Sequence, residues 1–260
     1  MTARNSVLCV DALVLLASLP DASVDLVLSD PPYGTTQADF DCVIDLPVLW
    51  VELKRVAKPG AAFVFTASQP FTTDLISSNR KQFRYEWIWV KSQATGFFDA
   101  NRKPMKRHES VIVFCERRAP YYPQMEKGEP YIHCSPKRTP HIYERETPRT
   151  DTINTTGERY PTSVLEYQVE TGAHPTQKPV PLFEYLIRTY TQPGALVLDP
   201  YCGSGTTALA AQRAGRDFIC GDTNADYVEV ALKRLRDADP FLAREIAPGL
   251  VQASLFEVLP

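Results

Sequence analysis

Four residues that follow an apolar segment have the chemistry to hold a planar amine. Asp30, Pro31, Pro32 and Tyr33 come directly after Val24–Leu28, a run that predicts a buried strand. Two prolines fix φ and remove two backbone donors, so the strand cannot continue and nearby carbonyl groups lack ladder partners. A carboxylate, a free carbonyl and an aromatic face at a strand tip suit a heterocycle whose exocyclic amine donates two hydrogen bonds. A tight turn without function would show the same residues.

A second set of residues with ligand chemistry lies where another short strand runs into a glycine-rich turn. Leu196–Leu198 predicts this strand, Ala208–Gly215 a helix, and Phe218–Gly221 the next strand, which ends at Asp222. Glycines let the backbone approach a ligand closely, and an acid about 20 residues further on suits a ribose diol. The unit favours a nucleoside ligand, with a plain βα turn as the alternative. The turn contains Asp199, Cys202, Gly203, Ser204, Gly205 and Thr206.

Together these motifs resemble the amino-group DNA methyltransferases that use S-adenosylmethionine. His174–Pro179 looks like a third signature of that family, near the methionine end of the cofactor. Asp11 matches an acidic position near the cofactor adenine. The stretch from Tyr85–Lys91 through Arg107–Glu109 is also similar to one branch of these enzymes. The likeness extends over nearly the whole chain.

The resemblance implies a doubly wound, mostly parallel α/β sheet of the seven-stranded, Rossmann-like type. The motif order, catalytic tip first, then recognition region, then cofactor turn, looks like the circularly permuted branch called β. We expect a single methyltransferase domain over residues 1–260, with a loop-rich insertion at about residues 116–173. The two turns would then meet at the carboxyl ends of neighbouring strands.

The insertion is also indicated by composition. Half of the 22 prolines lie between Pro104 and Pro181, together with several tyrosines and basic residues. Regular structure is not expected there. A linker rarely has so many tyrosines, so we expect an ordered segment that stacks on bases and contacts phosphates as a DNA target-recognition region.

Periodicity and breaking residues predict the other elements. A break is expected at Lys58–Gly60. The predicted strands are Ser6–Val10, Val24–Ser29, Ala61–Phe65, Tyr85–Lys91 and Ser110–Cys115, and the predicted helices are Ala12–Leu19, Leu46–Ala57, Pro70–Ser78, Leu182–Tyr190 and Tyr227–Asp237.

By resemblance, Asp30 and the Pro31 carbonyl accept hydrogen bonds from the amine of an extruded base, whose nitrogen attacks the sulfonium methyl group. Tyr33 stacks on the base, and Phe40 or Phe98 forms the opposite wall. An aspartate at the first position favours N6 of adenine. N4 of cytosine stays open, as does a catalytically inactive DNA-binding protein on the same scaffold.

For the cofactor, the resemblance places Asp222 on the ribose hydroxyls and the turn around Gly203 near the methionine. Thr206 is expected to bind the methionine carboxylate, and Lys178 to offset its charge. A surface position is an equal alternative for Lys178, and a structural hydrogen bond for His174. The predicted cofactor residues are Asp11, Asp30, His174, Lys178, Asp199, Cys202, Gly203, Ser204, Gly205, Thr206 and Asp222.

Charge is unevenly distributed along the chain. The net charge is -3, so no global basic field indicates nucleic acid. Residues 80–107, however, contain eight basic and two acidic side chains, a net charge of +6, interleaved with aromatic residues. This pattern is typical of a solvated face but also suits a phosphate-contacting surface. The candidate DNA contacts are Arg102, Lys103, Lys106 and Arg107.

Cysteine and histidine spacing indicates neither disulfides nor metal. The six cysteines form no Cys-x-x-Cys pair and the four histidines show no ligand spacing. No signal peptide or membrane span is visible, so we expect a soluble cytoplasmic protein. The resemblance makes DNA the partner. Related enzymes often form dimers, but neither a homodimer, a partner endonuclease nor the recognition sequence can be read from this chain.

Overall fold

The computed structural model describes residues 3–34, 42–133, 152–170 and 177–239. The chain divides into two compact units. The larger combines Met1–Tyr122 with Ser163–Pro260, and the smaller is Pro123–Thr162.

Twelve strands are present among the described residues. In chain order they are β1 Ser6–Cys9, β2 Val24–Ser29, β3 Ala57–Ala67, β4 Phe83–Thr95, β5 Lys106–Phe114, β6 Glu126–Lys127, β7 Tyr131–His133, β8 Thr152–Asn154, β9 Glu158–Arg159, β10 Val164–Tyr167, β11 Leu196–Asp199 and β12 Asp217–Asp222.

Eight of these strands form one sheet in the larger unit, in the order β1, β12, β11, β2, β3, β5, β4, β10. Among these described strands, β5 alone runs antiparallel to its neighbours β3 and β4. Every other pairing is parallel. Because parallel strands end at the same edge, the carboxyl ends of β1, β12, β11, β2 and β3 meet there, beside the beginning of β5.

Within the described ranges, six α-helices cover the two faces of this sheet. They are α1 Ala12–Ala17, α2 Leu46–Val56, α3 Phe71–Ser78, α4 Val180–Tyr190, α5 Thr206–Ala214 and α6 Ala225–Ala238. One buried cluster joins α4, α5 and α6 to alternate strand residues such as Leu26 and Leu28. The other joins α1, α2 and α3 to the residues between them, such as Val27. Strand residues alternate between faces, so this sheet is buried on both sides.

The predicted fold class is confirmed, with two local differences. The helix before Lys58–Gly60 ends at Val56 as expected, but these three residues belong to β3, whose register with β2 shifts there, and Gly60 has φ of +83°. An eighth strand, β10, also joins the sheet within the stretch where regular structure was not expected. Ile88 on β4 donates to the Ser163 carbonyl, and Leu165 is buried. β10 therefore forms despite its proline-rich surroundings, because β4 offers a free edge and Leu165 can be buried there.

The smaller unit contains short ladders, although regular structure was not expected in this stretch. β6 pairs with β9 and β7 with β8, both antiparallel. The Arg159 guanidinium lies 5.6 Å from the centre of the Tyr131 ring, a cation–π contact. No helix in the described part of the chain is long and apolar enough to cross a membrane.

Candidate active site

Asp30 lies just beyond the end of β2, where three donors hold its carboxylate. The Tyr33 hydroxyl donates to Oδ1 at 2.8 Å, and the Thr66 hydroxyl donates to the same oxygen. The Lys178 ammonium donates to Oδ2 at 2.7 Å. A carboxylate has about four acceptor positions. Within the described part of the chain, one position therefore remains for a ligand.

The Tyr33 side chain is fixed from two sides. Its ring stacks on Phe71, the first residue of α3, with centroids 5.2 Å apart and planes inclined by 20°. Burial and the neighbouring Asp30 charge raise the pKa of the Tyr33 hydroxyl well above its usual value, so it remains a donor. Phe71 covers one face of the ring, the Lys178 ammonium lies 5.8 Å from the ring centroid, and stacking of Tyr33 on a base stays a prediction. The sequence did not single out Thr66, which lies near the end of β3, or Phe71, which begins α3.

Lys178 is buried, with only 7% of its surface exposed, so the surface alternative considered for it is wrong. Its ammonium lies between two carboxylates, 2.7 Å from Asp30 Oδ2 and 3.4 Å from Glu109 Oε2. Burial disfavours the charged form, but the charges of Asp30 and Glu109 outweigh it and raise the Lys178 pKa. Lys178 therefore binds the Asp30 carboxylate. Its expected role toward a cofactor carboxylate stays a prediction.

Glu109 and Lys91 extend the site in a way the sequence did not reveal. They lie on the antiparallel neighbours β5 and β4 and form an ion pair. Burial disfavours the Glu109 carboxylate, yet the charges of Lys178 and Lys91 lower its pKa overall. Two signals were present in the sequence: Lys91 and Glu109 end the stretches that resemble one branch of the family, and Glu109 is a charged residue shortly before the apolar run Val111 to Phe114.

The glycine-rich turn after β11 uses its two glycines differently. Gly203 has φ of +49°, and a Cβ there would meet no atom within 4 Å. Gly205 has φ of +80°, and a Cβ there would lie 2.5 Å from the Ala231 Cβ on α6. Gly203 therefore leaves open space beside the backbone, whereas Gly205 permits close packing of the turn on α6.

Asp222 ends β12 and braces this turn. Its carboxylate accepts hydrogen bonds from the backbone N–H groups of Gly203 at 2.9 Å and Asn224 at 2.8 Å. On the neighbouring strand, Asp11 follows β1 and caps α1 by accepting from the Leu13 N–H at 2.8 Å. Each carboxylate thus has a backbone role and retains acceptor positions for a further ligand.

The other predicted side chains of the turn point into the protein. Asp199 accepts from Ser29 and Thr207, so it links β2 to α5. Thr206 donates to the Lys178 carbonyl at 3.3 Å. Asp199, Cys202, Ser204 and Thr206 are all buried. We assign these four side chains to holding the turn, and their direct cofactor contacts stay predictions. His174 and Phe40 lie outside the described residues.

The burial of Asp199 predicts how the stability of the fold changes with pH. Burial raises its pKa to about 7, although hydroxyl and backbone donors oppose this. The folded protein then binds a proton that the unfolded chain releases near pH 4, so stability should fall as pH rises from about 4 to 7. Asp199→Asn removes this dependence. Between pH 4 and 8 the wild type should lose on the order of 4 kcal/mol relative to the variant. Urea unfolding of both proteins measures the difference, and parallel curves would contradict it.

The predicted DNA contacts lie on the hairpin that joins β4 and β5. Arg102, Lys103 and Arg107 are exposed, while Lys103 pairs with Asp99 at 3.2 Å. Lys106 turns inward and donates to Ser68, and its burial lowers its pKa. The same hairpin fully exposes Phe98.

The class of protein follows from three features: the sheet with its reversed strand, the Asp-Pro-Pro-Tyr tip and the open glycine turn. Comparisons with known proteins identify this class. The N6/N4 methyltransferase family, described as DNA methylase, matches residues 24–233. The chain therefore belongs to the DNA methylase family, and the resemblance seen in the motifs is confirmed.

Several relatives match over most of their length. The chain is 30% identical over 261 residues to DNA adenine methyltransferase YhdJ of Escherichia coli K12, covering 91% of this chain and 84% of that protein. It is 27% identical over 247 residues to the type II methyltransferase M.HpaI of Haemophilus parainfluenzae, covering 88% and 73%. Among solved structures, the M1.HpyAVI–SAM complex matches with a TM-score of 0.59 and 23% identity over 88% of this chain and 98% of that one. This structural likeness supports the fold.

Proposed function

We propose that this protein transfers a methyl group from S-adenosylmethionine to the exocyclic N6 of adenine in DNA. The observation that carries the proposal is Asp30, a carboxylate that three donors hold and that keeps one acceptor position, beside the ring of Tyr33. The glycine turn lies at the same edge of the sheet. The relative YhdJ, named a DNA adenine methyltransferase, supports adenine over cytosine.

The residues at the glycine turn fit this cofactor. Gly203 leaves room for a ligand against the backbone, and Asp222 has acceptor positions for ribose hydroxyls. Asp11 follows the next strand, β1, where an adenine would lie by the family resemblance. When bound, S-adenosylmethionine supplies an electrophilic methyl group on a sulfonium.

Asp30 acts on the base. The lone pair of an exocyclic amine is delocalised into the ring, so the nitrogen is a poor nucleophile. A hydrogen bond from the amine to Asp30, and a second to the Pro31 carbonyl, favour a tetrahedral nitrogen and stabilise the positive charge that develops on it. Thr66, Tyr33 and Lys178 hold the carboxylate in place, so little reorganisation is needed.

Product analysis tests the proposal. DNA methylated by the purified protein is digested to nucleosides, and N6-methyladenosine in its deoxy form is expected. Only N4-methylcytosine would reject the choice of base. No labelled methyl group in DNA, together with no S-adenosylmethionine binding in calorimetry, would favour the inactive DNA-binding protein instead.

We also propose that the exposed basic residues of the β4–β5 hairpin contact DNA phosphates. Lys103→Ala with Arg107→Ala should weaken DNA binding and reduce the slope of log affinity against log salt by about 1.8, since each phosphate contact contributes about 0.9. Lys233→Ala with Arg236→Ala, a charge-matched change on exposed α6 positions, is the control. Equal slopes in both variants would mean that the hairpin is only a solvated face.

The biological setting is proposed from the relatives. M.HpaI is named a type II methyltransferase, which supports a restriction-modification role with a partner endonuclease for this protein also. We place the protein in the cytoplasm, where its DNA substrate lies, and propose a homodimer by analogy with related enzymes.

A further inference from the structure

Four side chains of alternating charge form a row that ends at the candidate base-binding carboxylate. Lys91 pairs with Glu109, Glu109 contacts Lys178, and Lys178 pairs with Asp30. The side chains of Lys91 and Glu109 are each 11% exposed and that of Lys178 is 8% exposed. These three side chains are therefore nearly buried, that of Asp30 at the end of the row is 25% exposed, and the four charges sum to zero.

Such a row is an inefficient way to stabilise a fold. Taking charges out of water costs free energy, and replacing a buried ion pair by apolar residues is often neutral or stabilising. Glu109 in particular is the fourth residue of β5, which continues after Ser110 with the apolar, buried residues Val111 to Phe114. Its presence therefore calls for an explanation at the site.

The distances within the row point to that explanation. The Lys178 ammonium is 2.7 Å from Asp30 but 3.4 Å from Glu109, whose Oε2 receives no hydrogen bond from the described residues. Glu109 thus stands behind the ammonium as a counter-charge. If Lys178 had Asp30 as its sole anion, it would neutralise that carboxylate more fully. The negative charge of Glu109 offsets part of the positive potential of the ammonium at Asp30, which leaves Asp30 a stronger acceptor.

We propose that Glu109, held by Lys91, is a positioning residue that acts through Lys178 on Asp30. Glu109 keeps the Lys178 ammonium charged and in its position beside Asp30. The free acceptor position of Asp30 then faces the amine of the base. This inference rests on the proposed methyl transfer. The charged and titratable groups that face Glu109 are Lys91 on β4, Lys106 on β5, Lys178 before α4, and Asp30 and Tyr33 after β2.

The first test is Glu109→Gln in the full-length protein. The rate of single-turnover methyl transfer should fall on the order of 10- to 100-fold, as expected for a misplaced catalytic group. Affinity for S-adenosylmethionine and for DNA should change less than about twofold, because the residue acts through Lys178. The basic limb of the pH–rate profile should move to lower pH, since Lys178 loses an anionic neighbour. An unchanged rate and profile would overturn the inference.

A charge-preserving variant separates position from charge. Glu109→Asp keeps the anion but shortens its reach, so the rate should fall while the basic limb stays near its wild-type pH. A wild-type rate would overturn the positioning role. Glu184→Gln on α4, which breaks the more exposed pair with Arg188, is the matched control and should leave rate and profile unchanged.

A double-mutant cycle tests the role of Lys91. Lys91→Met leaves Glu109 with Lys178 as its main cation, which should draw the ammonium away from Asp30 and slow transfer. Combining Lys91→Met with Glu109→Gln restores neutrality, so the double variant should be less impaired than the product of the single effects. Independent, multiplicative effects would overturn the coupling. A wild-type protein that methylates no DNA would instead reject the proposed function itself.

Discussion

Asp30→Ala is expected to reduce methyl transfer by about 10³-fold or more, the loss typical when a preorganised electrostatic group is removed. Asp30 is the one side chain that brings Tyr33, Thr66 and Lys178 together on a single carboxylate. Without it, the amine loses its anionic acceptor, and Lys178 keeps Glu109 as its neighbouring carboxylate. Single-turnover transfer of a labelled methyl group to DNA measures the loss.

The control for this experiment lies on the same strand. Asp25 belongs to β2 but lies near its beginning, paired with Lys58 at 2.7 Å. Asp25→Ala should leave the transfer rate close to wild type even if it lowers stability. Thermal unfolding and S-adenosylmethionine affinity establish that both variants are folded. A fully active Asp30→Ala variant would remove this residue from the mechanism.

Gly205→Ala is expected to destabilise the protein strongly, by roughly 2 to 5 kcal/mol. A non-glycine residue in the left-handed region costs about 1 to 2 kcal/mol, and overpacking a filled site adds about 1 to 3. The new Cβ would lie 2.5 Å from the Ala231 Cβ and 3.0 Å from its Cα, so part of α6 must shift. Denaturant unfolding with and without S-adenosylmethionine measures the effect.

Gly203→Ala is the matched comparison two residues earlier. Its φ is also positive, but its Cβ would enter open space. The cost to stability should therefore be limited to about 1 to 2 kcal/mol of backbone strain. If the cofactor occupies that space, affinity for S-adenosylmethionine should fall by more than stability alone explains. Equal destabilisation by the two alanines would contradict the distinction between a packing glycine and a ligand-facing glycine.

The predictions from sequence succeeded where a local pattern determines local structure. The strand Val24–Ser29 has the predicted bounds, and the helix over Leu46–Val56 is one residue shorter than expected. The two prolines end β2 directly before Asp30, as their missing donors require. Glycine likewise ends α5 at Gly215 in the left-handed conformation. Each feature depends on neighbours in the chain and needs no tertiary information.

Edge strands were harder to predict for the opposite reason. β10 forms because β4 offers free backbone groups and a site for Leu165, although its surroundings are rich in proline. β4 and β5 are also longer than their apolar runs, since strand pairing continues past the buried residues into the exposed hairpin. The partner strand, rather than the local pattern, determines these bounds.

By itself, the amino-acid sequence determined the two turns that carry the candidate site, because hydrophobic period, proline and glycine act over a few residues, and the family resemblance of its motifs implied the class of fold. Only the tertiary structure decided which groups surround Asp30. Lys178 lies 148 residues away along the chain, and Glu109 comes from the one described strand of the sheet that runs in reverse. Sheet order brings these charges together, and a sequence pattern contains no record of which strands become neighbours. The sequence left a surface position open for Lys178, but the structure buries it. Its charge is compensated there by two carboxylates.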